Sequence, residues 1–262
     1  MQKLLLCSLF ILFSLTANSI EITRYVAEGA TGDGLSKENP SGDLKSVLDL
    51  STNVESLTIY LDAGTYVLPT IRSINDRIEY KNVCIYGGGC DEVRDVADKS
   101  VIKGDLSING GAVMNVDFRG SAYEDPHSPN TIEGELHVIG CNVMYTKATC
   151  FVAEAVAGQE MRLVGLDMKT ADIRAFRQGT GTAMVNAWGC SFSNGRGASF
   201  SGVRLTATEC RFNNNTGAVG LALNVTDGSV LRNSEIRGNK GYGAISISGL
   251  TDDINVMIDR CV

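Results

Sequence analysis

One spacing recurs through this chain and limits what it can fold into. In Arg204 to Val219, RLTATECRFNNNTGAV, the apolar residues Leu205, Ala207, Cys210 and Phe212 follow the pattern Φ-x-Φ-x-x-C-x-Φ. Leu136, Val138, Cys141 and Val143 repeat it, as do Met161, Leu163, Leu166 and Met168, and again Val185, Ala187, Cys190 and Phe192. Weaker copies hold Val113, Val116 and Phe118 after Gly111, and Leu231, Ser234 and Ile236 after Ser229. A last copy holds Val256, Ile258 and Cys261. From Val116 the third slots lie 25, 25, 24, 20, 24 and 27 residues apart.

A fixed period of this length marks a repeat architecture. Within a copy the apolar residues lie two apart, skip one extra residue, then lie two apart again. Period two means strand, with alternate side chains on one face. The extra residue marks a bend between two short strands. No copy carries a helical pattern, and the links are rich in Gly, Asn, Asp and Ser, which favour turns. Short strands joined by turns at one period describe a coil that climbs one strand spacing per turn, a parallel β-helix. The third slot accepts Cys, Val and Leu alike, so it should point inward and line up from turn to turn in a single column.

A solenoid grows by stacking, so 262 residues fit one such domain. The net charge of −7 and pI near 4.9 argue against nucleic acid and anionic membrane as partners. A polysaccharide or a surface protein fits better. Residues 1–19, MQKLLLCSLFILFSLTANS, read as a secretory signal: Lys3, an apolar run from Leu4 to Leu15, then Ala17 and Ser19 at a small-residue cleavage site. No later stretch has the length of a membrane span.

Export would ordinarily suggest disulfides. Yet Cys141, Cys190, Cys210 and Cys261 all occupy the inward slot, which reads as buried thiols serving as small hydrophobes. No C-x-x-C occurs, and His127 and His137 are the only histidines, so nothing points to zinc.

Residues 20–56 should form an N-terminal strand (Tyr25 to Ala27), a Gly-rich loop and a short capping helix. Asp43 or Ser41 would be the N-cap, with Leu44, Val47 and Leu48 on one face. Such a helix covers the open first turn of a solenoid. Residues 57–262 are then the helix proper. Tyr25-Val26, Gly32-Asp33-Gly34 and Asn39-Pro40 occur in order, followed by Ile59, Leu61, Gly64 and Tyr66. This series resembles the start of the pectate-lyase-like superfamily. Phe212-Asn213-Asn214-Asn215 and Gly243-Ala244-Ile245 are similar to the repeats of polymorphic outer-membrane proteins. Together the resemblances imply an all-β, single-stranded, right-handed parallel β-helix with a short N-terminal capping helix. They further imply an exported bacterial protein, secreted or held at the outer membrane or cell surface.

Within that superfamily, lyases need charged side chains converging on one strand face. The richest cluster is Asp167, Lys169, Asp172, Arg174 and Arg177, which reads first as a solvated exterior with ion pairs between turns. Glu124, Asp125 and His127, on the long loop from Arg119 to Glu135, read first as plain surface. Thr251-Asp252-Asp253 supplies a D-D pair and Asn224 to Asp227 a near miss to N-x-D, but the H-G and R-x-K elements of polygalacturonases are missing. No nucleophile elbow supports a serine or cysteine triad. Asn194, Asn213, Asn214, Asn215 and Asn239 read as turn residues that bond from turn to turn.

The sequence therefore assigns no catalytic, cofactor-binding or metal residue. It expects an adhesin-like or glycan- or protein-binding module, with a polysaccharide lyase or other carbohydrate-active enzyme as the alternative. The copy at Val256, Ile258 and Cys261 lacks its fourth slot, because the sequence stops at Val262. The expectation is a truncated or split product, or a partner chain or missing segment over the last turn.

Overall fold

The computed structural model describes residues 20–69, 78–88, 100–119, 135–176, 180–217, 219–241, 243–249 and 254–262. The signal segment, Cys90, the Glu124, Asp125 and His127 group, Arg177 and the Asp252-Asp253 pair lie outside the described residues. The chain opens with β1 (Glu21–Val26), α1 (Leu44–Asp49), β2 (Ser56–Leu61), β3 (Gly64–Val67) and β4 (Glu79–Gly87). Next come β5 (Ser100–Lys103), β6 (Leu106–Met114), β7 (Val116–Arg119), β8 (Glu135–Met144) and β9 (Lys147–Ala155). Then follow β10 (Glu160–Val164), β11 (Asp167–Ala175), β12 (Ala183–Trp188), β13 (Ser191–Ser201) and β14 (Val203–Thr208). The last four are β15 (Val219–Val225), β16 (Ser229–Arg232), β17 (Gly243–Gly249) and β18 (Val256–Asp259).

These strands pair in parallel into one curling sheet, and the fold is a right-handed parallel β-helix. The register resolves it into three faces. Face A stacks β1, β2, the second limbs of β4, β6 and β8, then β10, β12, β14, β16 and β18. Face B stacks β3, β5, β7 and the first limbs of β9, β11 and β13. Face C stacks the first limbs of β4, β6 and β8, the second limbs of β9, β11 and β13, then β15 and β17. β1 runs in register with the whole of β2, so the coil begins inside the N-terminal segment.

The extra residue of the motif is the corner between faces A and B. Asn115, Tyr145, Gly165, Gly189, Glu209, Asn233 and Arg260 occupy it in successive turns, all at φ between 49° and 62°. This left-handed backbone turns the strand without breaking its alternation. Asn and Gly tolerate it at little cost, whereas Tyr145 and Glu209 adopt it under the constraint of the turns above and below, and Arg260 under that of the turn below.

Just past this corner the inward column runs Ser100, Val116, Thr146, Leu166, Cys190, Cys210, Ser234 and Cys261. Its polar members bond the carbonyls that the bend leaves facing inward. Thr146 donates to Met144 O at 2.9 Å, Ser234 to Arg232 O at 2.9 Å and Cys210 to Thr208 O at 3.4 Å. A small side chain with a donor satisfies those carbonyls, so the slot takes Ser, Thr and Cys as well as the aliphatic Val116 and Leu166.

One member of the expected single column is elsewhere. Cys141 points inward and is buried, but it pairs with Gly111 on face A, beyond the left-handed Gly140 of the corner between faces C and A. The residue in line with Val116 and Leu166 is Thr146. The same apolar-bend-apolar pattern exists at two corners of the coil, and spacing alone does not tell them apart.

The described cysteines are free thiols. Contact with Cys210 and burial hold the Cys190 thiol far above the ordinary range. Next to this column Phe192 stacks on Phe212 at 5.4 Å and meets Phe200 edge to face at 6.0 Å. At the opposite corner, between faces B and C, Asn194 and Asn214 are left-handed (φ 62° and 56°), and Asn214 reaches Asn194 Oδ1 at 3.5 Å. The fully buried Asn215 and its upper neighbour Asn239 form an internal ladder.

The first turn is covered. The Asp43 carboxylate accepts from Ser46 N at 3.0 Å, making Asp43 the N-cap, and α1 buries Leu44, Val47 and Leu48. The preceding loop closes on itself, with Gly34 N donating to Asn39 O and Gly32 N to Pro40 O, both at 2.9 Å. At the other end Ile247, Ile258 and Val262 are exposed. Among the described residues no helix is long and apolar enough to cross a membrane, which says nothing of strands.

Candidate functional site

Outward side chains on each face also line up turn upon turn, because the parallel register stacks like positions. On face A one such column runs Tyr25, Tyr60, Tyr86, Met114, Met144, Val164 and Trp188, before Thr208 and Arg232. Seven successive turns thus carry an aromatic or apolar residue on the outside of the coil. The rings of Tyr25 and Tyr60 stack at 5.5 Å and 18°, and those of Tyr60 and Tyr86 at 5.5 Å and 26°. Burial, with Cys84 beside it, pushes the Tyr86 hydroxyl above its ordinary value. Trp188 is 49 % exposed and Tyr145, at the adjoining corner, 39 %. The Tyr145 ring lies across Gly165, where a methyl group would come within 2.8 Å of it.

The neighbouring outward column is small and polar: Thr23, Thr58, Cys84, Ala112, Asn142, Arg162, Asn186 and Thr206. Arg162 is its one ionised member, and Glu160 pairs with it at 2.8 Å. Immediately after Trp188 the corner opens into a groove of about 460 Å³, lined by Gly189, Ser191, Glu209, Arg211, Asn233 and Glu235 together with Cys190 and Cys210. This is the volume range of small-ligand sites. A strip of rings, aliphatic side chains and hydroxyls that ends at an open indole and a polar groove can hold a ligand.

The charged cluster singled out in the sequence is divided by the fold. Asp167 lies on face B and pairs with Lys147 of the turn below at 3.5 Å. Lys169 is exposed at the bend of β11, and Asp172 and Arg174 stand on face C. Arg174 bonds Glu154 of the turn below at 2.7 Å and Asp172 at 3.7 Å. These are ion pairs, chiefly between turns, on separate faces, not a convergent site.

Sequence reasoning missed what meets Arg174. Ser107, His137, Glu154 and Arg174 form a line along face C, each on the next turn. Ser107 Oγ lies 2.9 Å from His137 Nδ1, and His137 Nε2 lies 3.4 Å from Glu154 Oε1. Burial alone would raise the Glu154 carboxyl, but the Arg174 guanidinium and His137 hold it below its ordinary value. Ser107, with 1 % of its surface exposed, is closed to a substrate, and His137 is buried too. The three residues come from strands about 30 and 17 residues apart, so only the register joins them.

Neither the models of protein families nor the curated proteins give a match to this chain.

Proposed function

We propose that this is an exported, non-catalytic β-helix protein of the pectate-lyase-like superfamily, whose face A binds polysaccharide at a cell surface or in the secreted milieu. The observation that carries the reading is the outward column from Tyr25 to Trp188, which continues through seven turns. Outward aromatic residues are exposed to water unless something covers them, and rings beside hydroxyls suit sugars, which present both C–H faces and O–H groups. The superfamily assignment is supported by the motif residues Gly32, Gly34, Asn39 and Pro40, which bond one another at the start of the coil. Export is supported by the signal-like residues 1–19.

Titrating the mature chain over a glycan array tests this reading. Polysaccharide binding that Trp188→Ala abolishes is the expected result, and the absence of any polysaccharide binding would overturn it.

The alternative, a carbohydrate-active enzyme, has in its favour the Glu209 and Glu235 carboxylates beside Arg211 in the groove that follows Trp188. Its test is product release from acidic or esterified polysaccharides, with and without calcium. Turnover lost in Glu209→Gln or Glu235→Gln would reverse the ranking.

A further inference from the structure

We infer that the ligand of face A is an uncharged, extended polysaccharide lying along the coil axis with one sugar ring per turn, an inference that rests on the polysaccharide-binding reading above. Spacing is the first argument. Adjacent strands lie about 4.8 Å apart, and the Tyr25, Tyr60 and Tyr86 rings succeed one another at 5.5 Å. An equatorially 1,4-linked pyranose chain advances by nearly the same step per ring. Columns of like side chains run only along the axis. A chain laid that way meets an aromatic or apolar side chain at each of seven turns, whereas one laid across the strands leaves this column after a single turn.

Charge is the second argument. The aromatic column from Tyr25 to Trp188 holds no ionisable group other than tyrosine hydroxyls. In the column beside it Arg162 is neutralised by Glu160 at 2.8 Å. Among the described residues a polyanion finds no row of cations along these two columns, and it meets a chain of net charge −7.

The third argument is which parts of the rings are open. Stacked tyrosines cover part of one another's faces, so the ladder offers ring edges and hydroxyls. Thr23 and Thr58 add further hydroxyls alongside. Trp188 has Val164 and Thr208 as its column neighbours, so no aromatic ring stacks on its indole within the column. The indole therefore takes the C–H face of one sugar, while the tyrosine rows bond the hydroxyl edges of other sugars further along the ligand.

The experiment is calorimetric titration of the mature chain with β-1,4-glucan oligosaccharides of two, four and six units, with hydroxyethyl cellulose, and with polygalacturonate. Affinity should rise at least tenfold from the two-unit to the six-unit ligand and be insensitive to salt. Tyr60→Ser and Trp188→Ala should each weaken the six-unit ligand at least tenfold. Tyr60→Phe, which keeps the stack, should weaken it less, and thermal melts of each variant separate misfolding from lost contacts. Equal affinity for the two-unit and six-unit ligands would overturn the axial arrangement. Tighter, salt-sensitive binding of polygalacturonate would overturn the uncharged ligand. Either result, with Trp188 still required, leaves polysaccharide binding intact; silence with every polysaccharide removes both.

Discussion

The side-chain amide of Asn215 donates to the Phe192 carbonyl of the turn below at 2.9 Å, while its Oδ1 accepts from Gly195 N at 3.1 Å. One buried residue thus satisfies a donor and an acceptor that the corner between faces B and C leaves unpaired. Asn239 repeats both bonds a turn higher, donating to Phe212 O at 2.8 Å and accepting from Asn215 N at 2.9 Å. A buried polar group left without a partner costs about 1–3 kcal/mol. Asn215→Ala should therefore lose about 3 kcal/mol in urea unfolding, and Asn239→Ala about half of that, because its site is more open. Equal, small losses would show that water replaces the ladder.

Tyr60 stacks on two rings and Tyr25 on one. Each stacked pair contributes about 0.5–1.5 kcal/mol beyond its area. Tyr60→Ser should cost about twice as much as Tyr25→Ser, and the double variant less than the sum, since they share a contact. Strict additivity would mean that the rings are neighbours without being partners.

Burial pushes the Cys141 thiol from 9.0 up to about 12 and the Cys150 thiol up to about 11. A thiol raised on folding favours the folded state below its unfolded pKa, and that contribution is lost as pH rises through the folded one. Stability should therefore fall between about pH 9 and pH 12, by at most about 1.4 kcal/mol per pH unit for each group. Cys141→Ala should flatten the upper part of this limb. An alkaline limb identical to that of the parent would show that Cys141 ionises as freely folded as unfolded.

Glu154 is shifted the other way. Its carboxyl is held below 4.5 in the folded chain, so the stabilisation is present above that pH and is lost as pH falls through the folded value. Glu154→Gln should lower stability at neutral pH and flatten the acid limb below about pH 4.5. Arg174→Gln should leave Glu154 with His137 alone and cost about 1 kcal/mol, modest because Arg174 is half exposed. Melting curves at pH 3.5, 5 and 7 check both.

Much of this was legible in the residues. Slots two apart gave the strands, and the single inserted residue gave the corner, because an alternating chain cannot turn without one odd position. Leu44, Val47 and Leu48 after Asp43 were legible as a capping helix because a helix of this length buries only one face. Asn194 and Asn214 were readable as corner residues from their tolerance of left-handed backbone. The column of tyrosines was not readable. Tyr25, Tyr60 and Tyr86 lie 35 and 26 residues apart, too unequal to show one period, and nothing local to any of them says that they touch.

The sequence by itself determined the kind of coil, since alternation and turn chemistry are local properties that each segment carries alone. Only the tertiary structure decided the register, and with it every neighbour between turns: Thr146 in place of Cys141 in the inward column, Tyr60 between Tyr25 and Tyr86, and His137 between Ser107 and Glu154. The reason is that loops of unequal length separate the turns. Which residue lies above which is then fixed by the backbone bonds and the packed interior of the whole stack, and by no spacing along the chain.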